Sequence, residues 1–208
     1  MFDRVNHFFY LLLVMLTIAI VASPISAAQT DLVNIQQIAP TIRLDLRYAT
    51  PNNFMKRKLY PVARCLLHEK VARQLQQVQL ELVADNLGLK VYDCYRPLSI
   101  QKQMWKMLPD NRYVANPAQG SRHNRASAID LTLVDLATGK EQEMPSKFDD
   151  FSVRSHINYD GASLASKSNR QVLRVAMEKH SFKGIPTEWW HYDSLDWKKY
   201  PVLDIPWK

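Results

Sequence analysis

Residues 66–92 read LLHEKVARQLQQVQLELVADNLGLKVY, and they set the layout of the chain. Leu67, Val71, Leu75, Val78 and Leu82 recur at spacings of four, four, three and four, which lines them along one helix face. The spacing predicts a helix over Leu66–Asn86 stopped by Gly88, followed by a short strand over Leu89–Tyr92. Working outward, Arg96-Pro97 breaks that strand, and Ser99–Leu108 reads as a second helix, with Ile100, Met104 and Met107 or Leu108 inward and Pro109 at its end. Polar loop then runs to Arg125, and Ala128–Val134 is strand-like, with Asp130 in its middle. Ser168 is placed to cap a helix over Asn169–His180, while Ile42–Tyr48 and Trp189–Tyr192 read as an early and a final strand. Strands and helices do not alternate regularly. The expected fold is therefore α+β: one domain with a mostly antiparallel central sheet flanked by helices.

With 208 residues, 47% hydrophobic and 23% charged, the chain has the makings of one domain with a real core, and disorder is excluded. Its five glycines, Gly88, Gly120, Gly139, Gly161 and Gly184, are widely separated. That removes the dinucleotide fingerprint and the phosphate-binding P-loop, which need clustered glycines to bring backbone N–H groups onto phosphates. The two cysteines, Cys65 and Cys94, cannot build a cysteine zinc finger. The net charge is +7, with Lys56-Arg57-Lys58 and Lys198-Lys199 as the densest clusters. A nucleic-acid reading would want them interleaved with stacking aromatics on one face, and an exported protein rarely meets nucleic acid, so a solvated basic surface suited to an anionic wall or membrane is expected, and no nucleic-acid partner.

The N-terminus carries an address. Arg4 precedes an apolar run from Phe8 to Ala22, and Ile25-Ser26-Ala27-Ala28 supplies the small residues of a cleavage site. The run is shorter than the roughly 20 residues of a spanning helix. A signal peptide over residues 1–27 is expected, leaving one domain over 28–208 that is exported, periplasmic or secreted, with no stable membrane insertion after cleavage. Export permits oxidation, so a Cys65–Cys94 disulfide is expected; the intervening helix and strand allow it without forcing it.

Two clusters carry the chemistry. SRHNRASAID spans residues 121–130, and EWWHY spans 188–192. Asp130, flanked by Ile129 and Leu131, is costly in a strand unless it is paired, hydrogen-bonded or metal-bound. His123, Asp130 and His191 offer the three ligands that a catalytic zinc needs, with Glu188 close to the last as a carboxylate that does not ligate and could move a proton. The competing reading leaves His123 in a loop, Asp130 in a salt bridge, and Trp189 and Trp190 in the core. His68-Glu69 resembles half of a His-Glu-x-x-His zinc helix, but Ala72 stands where the second histidine belongs, so His68 is expected to be an exposed helix residue. No Gly-x-Ser-x-Gly elbow occurs.

SRHNRASAIDLTL followed by EWWHY, with DCYRP upstream, resembles the VanX-type D-alanyl-D-alanine dipeptidases, zinc peptidases related to D,D-carboxypeptidases and hedgehog-like domains. LRYATPNNF and MPSKFDDFS extend the resemblance over nearly the whole mature chain. It implies one Zn2+ per chain on His123, Asp130 and His191, Glu188 as catalytic base and Arg96 as transition-state stabiliser. Asp93, Ser121 and Tyr48 would line the pocket for a small D,D-dipeptide. Arg96 could instead serve in a structural salt bridge with Asp93. The family usually has glycine where this chain has Ala126; since alanine is strained at positive φ, a different loop conformation is expected there. The alternatives are a D,D-carboxypeptidase acting on longer wall peptides, or a wall- or zinc-binding module without catalysis. Nothing in the sequence specifies an oligomeric state.

Overall fold

The structure, a computed structural model, describes residues 32–207, so the expected signal segment and its cleavage region lie outside the described residues. A five-stranded sheet has the order β2 (Arg43–Leu44), β4 (Leu87–Asp93), β5 (Ala128–Asp135), β7 (Glu188–Ser194) and β6 (Phe182–Ile185). The three pairs from β4 to β6 are antiparallel; the β2–β4 edge is parallel, which makes the sheet mixed. A separate antiparallel pair joins β1 (Leu32–Asn34) to β3 (Leu66–His68), and the single turn of α1 (Ile35–Ile38) follows β1.

One face of the sheet is covered by α2 (Glu69–Val83) and α4 (Leu164–Lys179). Alternation in β5 explains why: Ile129, Leu131 and Leu133 enter the core with Val91, Leu75, Val78 and Leu173, all fully buried. Asp130 therefore emerges on the opposite face. That face is covered by α3 (Leu98–Met107) and by loops whose own apolar cluster contains Tyr48, Met55, Tyr60, Met104 and Val114.

The long helix starts later than its periodicity predicts, at Glu69, because Leu66–His68 pairs with β1. It ends at Val83, and Asn86, at φ 56°, makes the left-handed turn expected of Gly88. Gly88 instead lies inside β4, where an added Cβ would come within 3.0 Å of Leu136. His68 is not exposed: it is 3% accessible and stacks on Tyr200 with ring centroids 3.9 Å apart. The expected strand over Ile42–Tyr48 shrinks to β2, and Arg47–Ala49 forms a 3-10 turn. Helix α4 begins before Ser168; its cap is Ser163, whose hydroxyl accepts from the Ser166 N–H at 3.0 Å. Cys65 and Cys94 are bonded to each other, with their Cα atoms 5.2 Å apart. The bridge ties the start of β3 to the end of β4. Among the described residues, no helix is long and apolar enough to cross a membrane.

Candidate active site

The end of the sheet brings three acidic or imidazole side chains into one row. Asp93 on β4 is opposite Asp130 on β5, and Asp130 is opposite His191 on β7. His123 comes from a 3-10 turn, His123–Arg125, that leads into β5. The turn is closed by Ala126 at φ 47° and ψ 36°. The loop thus keeps the left-handed conformation expected of glycine, and the expectation of a different loop is corrected: the N–H of Ala126 must reach the His123 carbonyl, at 3.1 Å, for the turn to close.

Three atoms converge on one point. His191 Nδ1 lies 2.9 Å from Asp130 Oδ1, His123 Nε2 lies 3.1 Å from His191 Nδ1, and His123 Nε2 lies 3.3 Å from Asp130 Oδ1. A tetrahedral zinc with bonds of roughly 2.0–2.1 Å has ligand–ligand edges of about 3.3 Å. The set of two nitrogens and one carboxylate oxygen, all buried, fits one such ion. Against burial, which favours the neutral acid, His123 and His191 hold the Asp130 carboxyl far below its usual range. His191, despite burial, is held well above the usual imidazole value by Asp193 and Asp130.

Glu188 stands at the start of β7, its Oε2 3.9 Å from His191 Nδ1. Burial, reinforced by Asp130 and Asp149, pushes its carboxyl up to about 8. Arg96 follows β4. Its Nε and Nη2 donate to Asp93 Oδ2 at 3.1 and 2.7 Å, and Nη1 donates to Gln101 Oε1 at 2.9 Å. Of the five guanidinium N–H donors, this leaves two for a ligand. The salt bridge to Asp93 and a place on the cavity wall are thus compatible in Arg96. The cavity encloses about 100 Å³, small beside the roughly 300–1,000 Å³ of drug-sized sites.

Tyr48, Ser121, His123, Asp130, Glu188 and His191 all line this cavity. Asp93, expected there as a substrate residue, does not. It is fully buried behind Arg96, and its Oδ1 also accepts from the Tyr60 hydroxyl and the Cys94 N–H, each at 2.9 Å. A carboxylate so fully engaged serves to hold the arginine. Ser121 Oγ accepts from the His123 N–H at 3.1 Å, which leaves its hydroxyl proton free to donate. Trp189 and Trp190 are both packed in the core, and Trp190 also forms part of the cavity wall.

Asp149 was not legible as a site residue. Its Oδ1 accepts from the Tyr48 hydroxyl at 3.0 Å and its Oδ2 from the Phe54 N–H at 3.2 Å, and it faces the cavity. Burial pushes its carboxyl up to about 7. The available signal was a pair of adjacent aspartates, Asp149 and Asp150, between Phe148 and Phe151.

Residues 28–203 match the family model for D-ala-D-ala dipeptidase, peptidase M15. The chain belongs to this family. It is an enzyme family of zinc metallopeptidases that hydrolyse a dipeptide. The D-alanyl-D-alanine dipeptidase of Escherichia coli (strain K12) is 36% identical over 174 residues, which covers 84% of this chain and 90% of that protein. That of Enterococcus faecalis (strain ATCC 700802 / V583) is 35% identical over 180 residues, 77% of this chain and 89% of the other. Among solved structures, the vancomycin-resistance D,D-dipeptidase VanXYg, in complex with a D-Ala-D-Ala phosphinate analog, is 25% identical and overlaps 63% of this chain and 51% of its own, with a TM-score of 0.38.

Proposed function

We propose that this M15 peptidase hydrolyses free D-alanyl-D-alanine to two D-alanines outside the cytoplasm, using one zinc ion held by His123, Asp130 and His191. The observation that carries the reading is the convergence of those three ligand atoms, with Glu188 beside them, in a cavity of about 100 Å³. When bound, zinc would polarise the scissile carbonyl and make a neighbouring water more acidic. Glu188 takes the proton of the attacking water at its carboxylate and returns it to the departing amine. Its raised affinity for a proton suits it to the second half of that cycle, and a nearby divalent charge draws it down for the first. Arg96 directs its two remaining donors at the oxyanion, held rigid by Asp93 and Gln101.

The ends of the dipeptide are assigned by charge. Asp149, with the Tyr48 hydroxyl against it, receives the substrate ammonium, and Ser121 donates to the carboxylate. An acylated amine, as in a pentapeptide, brings Asp149 no charge to pair with and needs room beyond this cavity. The carboxypeptidase alternative is therefore disfavoured. The test compares D-alanine release from free D-Ala-D-Ala and from a muramyl pentapeptide at equal concentration, with periplasmic and cytoplasmic fractions probed for the chain. Preference for the dipeptide and recovery of a shortened chain in the periplasm are expected. A higher kcat/KM on the pentapeptide would overturn the substrate assignment, and a full-length cytoplasmic chain would overturn the location.

A further inference from the structure

We infer that Asp193 is a positioning residue of the metal centre, fixing the tautomer and ring orientation of His191. The inference rests on the reading of His123, Asp130 and His191 as ligands. A neutral imidazole carries one proton, and a ring nitrogen that carries it cannot ligate. His191 turns Nδ1 to the convergence point, so its proton must sit on Nε2. That nitrogen lies 2.8 Å from Asp193 Oδ1. His191 and Asp193 are two apart on β7, so both side chains leave the same face of the strand. Asp193 is 8% accessible, so the bond it makes to His191 is sheltered from solvent.

The two histidines are anchored in opposite senses. His123 presents Nε2 to the same point and donates from Nδ1 to the Cys94 carbonyl at 2.7 Å. A carbonyl can only accept, and so can an ionised carboxylate, so each anchor permits one tautomer alone. The second oxygen of Asp193 faces Arg122 Nε at 3.5 Å. That contact is longer and its arginine is half exposed, so it contributes little beside the buried bond to His191. The function of Asp193 is therefore read at the ring of His191.

The test uses the full mature protein, stripped of metal, and the isosteric substitution Asp193→Asn alongside Asp193→Ala. Zinc dissociation constants are measured by competition with a chromophoric chelator, and the ligand field is read from the visible spectrum of the cobalt-substituted protein. Loss of a partner to a ligating histidine weakens metal binding by roughly 10- to 100-fold. That loss is expected for both variants, with an altered cobalt spectrum in Asp193→Asn, whose amide can turn its NH2 toward Nε2 and drive the proton onto Nδ1. A merely structural role would shift the unfolding midpoint and leave the cobalt spectrum unchanged, and that result overturns the proposal. So does an Asp193→Asn affinity within about threefold of the parent, well short of the expected loss. Failure of the parent protein itself to bind zinc would instead overturn the underlying ligand assignment, and the proposal with it.

Discussion

Asp130, Glu188 and His191 stand on two paired strands in the middle of the sheet, where ladder hydrogen bonds and a packed core fix each backbone position. Tyr48, Ser121 and Asp149 stand on connecting segments, and the bonds that hold them reach across long stretches of sequence, from Tyr48 to Asp149 and from Phe54 to Asp149. His123 lies between the two kinds, in a turn feeding straight into β5. The difference matches the two tasks proposed above, with Arg96 as the exception: it follows β4 on a connecting segment and owes its fixed position to Asp93 and Gln101. Groups that act on reacting atoms must be held to a fraction of an ångström, and strands hold side chains better than loops do. Groups that recognise the substrate's ends tolerate more play. Damage on the strands should therefore appear in turnover, and damage on the loops in substrate affinity.

The largest effect expected is metal removal. Treatment of the mature protein with a strong chelator should abolish D-alanine release, and one equivalent of zinc per chain should restore it; elemental analysis of active protein checks the stoichiometry. Next comes the strand-borne base. Glu188→Ala should lower kcat by roughly 10²- to 10⁴-fold while zinc stays bound. Turnover within tenfold of the parent would remove Glu188 from its role and break the division of labour between strands and loops.

The loop half is sharpened by Asp149→Asn. Loss of a charge-assisted hydrogen bond to the substrate ammonium should raise KM by roughly 10- to 100-fold with kcat little changed. The sign with pH follows from the carboxyl value of about 7: below it Asp149 is neutral and a poor partner for ammonium, and above it the carboxylate is charged. The kcat/KM of the parent should therefore rise with pH through neutrality, and that limb should vanish in the variant. An unchanged pH profile would take Asp149 out of recognition. The smallest effect belongs to Ala126→Gly. Relief of the left-handed backbone should stabilise the fold by up to about 1 kcal/mol, raising Tm by about 2–4 °C. A lower Tm would mean that the buried methyl group contributes more by packing than it costs in strain.

How much of this was legible in the sequence follows the same divide. Asp130 announced itself because a carboxylate between Ile129 and Leu131 violates the pattern of a buried strand. The clusters around His123 and His191 stood out by the density of ligating side chains. Helix α2 and strand β5 were legible because their periodicity is local. Strands β1 and β3 were not, since each is three residues long and gains its identity only from the other, more than thirty residues away. Asp149 and the buried state of His68 were hidden for the same reason: their partners, Tyr48 and Tyr200, are distant in sequence. For Asp93 the family resemblance implies a place in the pocket, whereas the bulge between Val91 and Asp93 turns it toward Tyr60 and the Cys94 N–H.

The Cys94 residue bonded to Cys65 also supplies the carbonyl that accepts from His123 Nδ1. Two equilibria, oxidation of a thiol pair and loading of a metal, therefore share one residue, and thermodynamic reciprocity binds them together. To whatever extent the crosslink holds that carbonyl in place and so tightens the metal's grip, the metal must protect the crosslink by the same factor. A loaded protein should give up its disulfide to a thiol reductant less readily than a stripped one.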